Sequence, residues 1–166
     1  MTKRIALAAA LVLLAGCGDE GGSLSRTQRA FLEARGAPTA FAILFSDADL
    51  DESGLAVATP ARRVETWIYA GAPARRIVFD SGYFVDEVDL TADLDADPAA
   101  ASPADFDPAM TRADVEAALG APDRVEEQDL GGQALVMLRY DAPEVVSVAF
   151  LDGHLASVVA GMQVQP

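Results

Sequence analysis

The sequence predicts an α+β protein built as two tandem units, each a short helix packed on a small antiparallel sheet. Three observations predict it. Strand-like runs outnumber helical ones, two-residue turn signals separate them, and a helix, a Gly-Ala-Pro stop, strands and a hairpin occur twice in the same order. Tyr69, Phe79, Gly82 and Val88 recur at a constant spacing of 71 as Tyr140, Phe150, Gly153 and Val159. Upstream, Gly36-Ala37-Pro38 recurs as Gly120-Ala121-Pro122 at a spacing of 84. The difference of 13 falls in an acidic loop around residues 46–54 that only the first unit carries.

Each unit opens on a helix. Ser25-Arg26-Thr27-Gln28 has the capping-box form, and Gly36 and Pro38 stop the helix after Arg35. Thr111-Arg112-Ala113-Asp114 repeats that signal with Asp in place of Glu or Gln. Its helix runs to Leu119, and Gly120 follows with Pro122 beyond. Strands are expected over 39–46, 62–70, 75–80 and 83–90, then over 124–128, 133–140, 145–151 and 154–160. Ser81-Gly82 and Asp152-Gly153 are the two-residue hairpin turns, and Gly131-Gly132 marks a third. The domain boundaries that follow are 25–90 for the first unit and 109–162 for the second. Residues 91–108, rich in Asp, Ala and Pro, read as a solvated linker with one helical turn near Ala99.

A two-residue turn places Phe79 opposite Phe84 and Phe150 opposite Leu155. Counting by twos from these pairs assigns Ile77, Val88, Val146, Val148 and Val159 to the core, against Phe31, Leu32, Val115 and Leu119 on the helices. The other face then takes Val78, Tyr83 and Val85 in the first unit, with Leu151, His154, Ala156 and Val158 in the second. Trp67 and Tyr69 share a face with each other. Aromatic side chains on a sheet face turned away from the helices are natural interface anchors. Trp67, Tyr69 and Tyr83, with Val85, are therefore the candidate partner-binding residues.

The formal charge of −14, with 12 basic residues against 26 acidic ones, excludes a basic nucleic-acid footprint and electrostatic adhesion to anionic lipid. Lys3 and Arg4 precede an apolar stretch from Ile5 to Leu14, too short to span a bilayer. The stretch leads into Leu14-Ala15-Gly16-Cys17, which resembles the lipobox of bacterial lipoproteins. The resemblance implies a signal peptide at 1–16, lipidation at Cys17, the single cysteine, and a lipid-anchored tether at 17–24. In that family an aspartate after the cysteine signals retention at the inner membrane. Gly18 stands there instead, so the resemblance implies an outer-membrane anchor facing the periplasm.

Met110-Thr111, Val115, Leu119-Gly120 and Pro122 follow the M-T-x-x-x-V-x-x-x-L-G-x-P opening of the BamE/SmpA/OmlA outer-membrane lipoproteins. Leu138-Arg139-Tyr140 and Phe150-Leu151-Asp152-Gly153 resemble that family's continuation. Glu65-Thr66-Trp67-Ile68-Tyr69 is similar to its T-W-x-Y element. Ala109 departs from the glycine usual before Met-Thr. The resemblance covers about residues 108–160 and implies a non-catalytic envelope component, with a role in β-barrel assembly as one form. Two such units in tandem also resemble the architecture of the β-lactamase inhibitor protein family, which implies a module capping a periplasmic hydrolase.

Catalysis finds little support. His154 is the only histidine, with no second imidazole or spare thiol to work with it. The acidic run Asp47-Ala48-Asp49-Leu50-Asp51-Glu52 fails the calcium-loop pattern, since Glu52 and Ala58 stand where Gly and Glu are required. Asp93, Asp95 and Asp97 read as a second solvated acidic loop. No catalytic residue, cofactor, metal or small-molecule substrate is expected. The expected partners are the membrane, through lipid on Cys17, and an envelope protein; a lipid-anchored hydrolase is the alternative from another class.

Overall fold

The computed structural model describes residues 24–46 and 62–161. Cys17, the expected tether up to Ser23 and the acidic run beginning at Asp47 lie outside them, whereas Leu24, the tether's last expected residue, is buried in the core. The elements follow as α1 (Arg26–Arg35), β1 (Ala40–Ser46), β2 (Arg62–Tyr69), β3 (Arg75–Asp80), β4 (Tyr83–Asp89), α2 (Arg112–Leu119), β5 (Arg124–Asp129), β6 (Ala134–Tyr140), β7 (Val146–Leu151) and β8 (His154–Ala160). A short 3-10 turn (Pro103–Asp105) precedes α2.

The expected pair of small sheets is not what forms. All eight strands join one antiparallel sheet in the order β4-β3-β2-β1-β8-β7-β6-β5. The join is β1 on β8, with Phe41 opposite Ala160, Ala42 opposite Val159, Ile43 opposite Val158 and Leu44 opposite Ser157. Two separate sheets would each have left one of these apolar strands as an open edge, with unpaired backbone groups beside Phe41, Ile43 and Val158. Pairing them satisfies the backbone and closes the core.

That core is continuous across the join. Ile77, Trp67, Phe41, Ala160, Val146 and Tyr140 form one cross-strand row from β3 to β6. A second row runs Phe79, Glu65, Ile43, Val158, Val148 and Leu138. Both helices lie on this face: Phe31 of α1 meets Phe79 edge-on with ring centroids 5.3 Å apart, and Val115 of α2 is fully buried. Both capping boxes form, Ser25 with Gln28 and Thr111 with Asp114. Asp serves the second box because its short carboxylate still reaches the Thr111 backbone N–H, at 2.8 Å.

The faces depart from the count by twos. Each hairpin carries a bulge at the same place, between Val78 and Phe79 in one and Ala149 and Phe150 in the other. The extra residues, Val85 and Ala156, invert the alternation beyond them. Val158 is therefore core, while Val88 and Val159 turn to the opposite face.

The segment between the strand sets is also not merely solvated. It crosses the helical face and buries Ala99, Ala101, Pro103 and Phe106. Phe106 packs on Phe41 with centroids 6.1 Å apart, and Ala99 N–H donates to Pro38 C=O at 2.9 Å. The helical turn lies at Pro103–Asp105 rather than near Ala99.

Candidate protein-binding face

Strand β2 shows how the sheet sorts its residues. Arg63, Glu65, Trp67 and Tyr69 point under the helices, while Arg62, Val64, Thr66 and Ile68 point to the opposite side. A charged pair on the covered face needs partners, and it has them. Glu65 is fully buried and accepts from Arg63 Nε at 2.7 Å, from Trp67 Nε1 at 2.9 Å and from Gln28 Nε2 of α1. Arg63 donates onward to the carbonyls of Pro103 and Phe106, each at 2.6 Å. The cluster therefore ties helix, sheet and connector together, with its charges hydrogen-bonded as burial demands.

This placement settles where the four candidate anchors sit. Trp67 is 0% exposed and Tyr69 9%, so neither offers a partner any surface. Trp67 packs on Phe79 at 4.6 Å, and the Tyr69 hydroxyl donates to Gly36 C=O at 3.4 Å. Burial pushes the Tyr69 phenol up to about 12, against a smaller downward pull from Arg35. Tyr83 and Val85 are 73% and 58% exposed, on the edge strand β4. The structure brings Trp67 and Tyr69 together under the helices and leaves Tyr83 and Val85 outside, so the four form no common surface.

Of the four, Tyr83 lies in a row of the accessible face, which is otherwise built by residues outside the candidate set. One row crosses all eight strands: Tyr83, Asp80, Val64, Leu44, Ser157, Ala149, Met137 and Glu126. The next runs from Asp86 through Val78, Thr66, Ala42, Val159 and Ser147 to Arg139 and Arg124. Both rows are small and aliphatic at the centre and charged toward the ends, at Asp80 and Glu126 in the first and at Asp86, Arg139 and Arg124 in the second. Leu44, in the middle strand, is 58% exposed. An apolar centre inside a charged rim is the anatomy of a protein-binding patch. Leu44 went unremarked in the sequence because it lies in the apolar run from Ala40 to Phe45, which reads as fully buried; only its position beside Ser157 distinguishes it.

Two further features lie elsewhere. A cleft of about 280 Å³ opens between α2, the connector and the β6–β7 loop, lined by Leu119, Tyr140, Pro143, Glu144 and Val146 among others. Among the described residues the buried Tyr140 hydroxyl has no hydrogen-bond partner, and burial raises its ionisation, helped by the charge of Glu116 and opposed by that of Arg112. His154 is exposed at the β7–β8 turn, opposite Leu151. Among the described residues, no three His, Cys, Asp or Glu side chains converge as metal ligands, and no helix is long and apolar enough to cross a membrane. No family model, curated protein or solved structure matches this chain.

Proposed function

We propose that this protein is a lipid-anchored, non-catalytic binding component of the bacterial envelope that docks a partner protein on its open sheet face. The observation that carries the reading is the uncovered row Val64, Leu44, Ala149 and Met137, set opposite a face that two helices and the connector cover. An aliphatic patch with charged ends gains by excluding water against a partner, and its rim sets orientation. The anchor adds the second element. The lipobox-like Leu14-Ala15-Gly16-Cys17 supports lipidation at Cys17 and attachment to the outer membrane facing the periplasm. A buried acyl chain contributes about 0.8 kcal/mol per methylene, and confinement to the membrane raises the effective concentration of any partner held there.

In-cell crosslinking with affinity recovery and mass spectrometry tests this, comparing the wild type with Cys17→Ala and Leu44→Asp. A membrane-complex partner lost in both variants is the expected result. Barrel-assembly components in that set would fix the role as envelope assembly, whereas one soluble periplasmic enzyme at one-to-one stoichiometry would fix it as inhibition. Recovery unchanged by Leu44→Asp, with the fold intact by circular dichroism, overturns the docking face.

A further inference from the structure

The eight-stranded sheet ends at β4 on one side and β5 on the other, and the two ends are built differently. At β4 two of the three carboxylates, Glu87 and Asp89, are held by arginines, while Asp86 stands 3.8 Å from Arg76. Glu87 receives both Nη atoms of Arg35 from α1, at 2.8 and 3.0 Å, and a third bond from Arg75 at 3.2 Å. Those arginines hold the Glu87 carboxyl below the usual carboxylate range. Asp89 pairs with Arg75 at 3.0 Å. At β5 every residue is exposed, and Glu126 and Glu127 have arginine nitrogens no nearer than 3.8 Å. The edge is open and retains negative charge.

The first four strands show what such an edge accepts. β5 is to the second set what β1 is to the first: each follows a helix and its glycine stop, and each pairs with the next strand through an equivalent opening bond. Thr39 N–H donates to Ile68 C=O at 2.8 Å, and Asp123 N–H to Arg139 C=O at 2.8 Å. The outer side of β1 is filled by β8, antiparallel. Among the described residues, no strand lies beside the outer side of β5. Leu130 N–H donates to Gln133 C=O at 2.8 Å, so alternation turns the backbone of Gln128, Glu126 and Arg124 toward β6 and that of Val125 and Glu127 outward.

We propose that this edge takes an extended, basic segment of a partner protein as a ninth, antiparallel strand. Backbone pairing at Val125 and Glu127 supplies the attachment, as strand addition does generally. The side chains select the partner: an apolar residue opposite half-exposed Val125, and Lys or Arg opposite Glu126 and Glu127. This surface is separate from the open face around Leu44, and its variants differ from those that test that face.

A fluorescein-labelled peptide alternating Lys with Val and Thr, titrated into the full chain, is the test. Saturable one-to-one binding is expected, weakened at least tenfold by Glu127→Pro, which removes an outward N–H and no bond to β6. The same peptide with alternate amides N-methylated keeps its charge and is expected to lose binding to the unaltered protein. A matching Glu-for-Lys peptide should not bind. Equal binding by the N-methylated peptide means charge adhesion only and overturns the proposal, as does no binding by the Lys peptide. If Glu127→Pro fails to fold, the N-methylated comparison decides alone.

Discussion

At the scale of single residues, Glu65 is the charged group on which the core converges. It sits within the second core row, between Phe79 and Ile43, and three donors converge on it. Removing one member of a buried ion pair strands the other, which costs about 3–5 kcal/mol. Glu65→Ala is expected to lose about that much in equilibrium urea unfolding, whereas Asp141→Ala, at the exposed Arg139–Asp141 pair, should leave the midpoint unchanged. Replacing both Arg63 and Glu65 by apolar residues should recover only part of the loss, because the Pro103 and Phe106 carbonyls would still lack their donor. This cluster also explains why Trp67 and Tyr69 stood among the candidate anchors although both are buried. In β2 the set Val64, Thr66 and Ile68 looks more apolar than Arg63, Glu65, Trp67 and Tyr69, yet the second set is buried. Alternation reveals two faces but not which is inward when charges on the inner one are satisfied by Gln28 and by carbonyls from distant segments.

At the scale of elements, turn chemistry made the strands legible and bulges hid their faces. Ser81-Gly82 and Asp152-Gly153 adopt the paired positive φ values of a tight hairpin, 50° and 79° in one and 49° and 83° in the other. Glycine's preference for that region is written in its identity, so both hairpins could be placed from sequence. The bulges at Val85 and Ala156 have no glycine or other marker, and the inverted alternation of Val88, Val158 and Val159 followed from missing them. Phe106 was similarly silent, one aromatic in an acidic segment whose burial depends on Phe41 far away in the chain. The two turn glycines differ in surroundings, which makes a matched test. A Cβ at Gly153 would meet nothing within 4 Å, so Gly153→Ala pays only the left-handed backbone, about 1 kcal/mol. At Gly82 it would stand 2.6 Å from Ser25 Cβ, against the residue that caps α1 and donates to Gly82 C=O. Gly82→Ala is expected to cost about 2–3 kcal/mol and to loosen α1, read as lowered urea midpoint and faster amide exchange at Arg29 and Phe31. Equal losses at the two sites would remove Ser25 from the account.

At the scale of the whole molecule, the question is why a sheet that joins one four-stranded set to another stops there. The β1–β8 join is a head-to-tail contact, and repeated between molecules it would put β5 of one copy beside β4 of the next without closing. The residues decide against it. Where the internal join sets Ile43 against Val158, its repetition would set Glu127 against Glu87; where Leu44 meets Ser157, Gln128 would meet Asp86. Like charges directly opposite oppose pairing, and Val125 would face Asp89 rather than the Ala160 that Phe41 faces. The same acidity that turns away a second copy leaves β5 suited to a basic strand, so one set of side chains accounts for both refusal and selectivity. Reversing it should release growth. Glu126→Val would face Val88 and Glu127→Lys would face Glu87, turning the repulsive row into an apolar contact and an ion pair. The wild type is expected to sediment as a single species across a hundredfold range of concentration. The double variant is expected to form a ladder of oligomers that grows with concentration and shortens with added salt, since the new ion pair at the rim is screened. A folded double variant that stays a single species would mean that charge is not what ends the sheet.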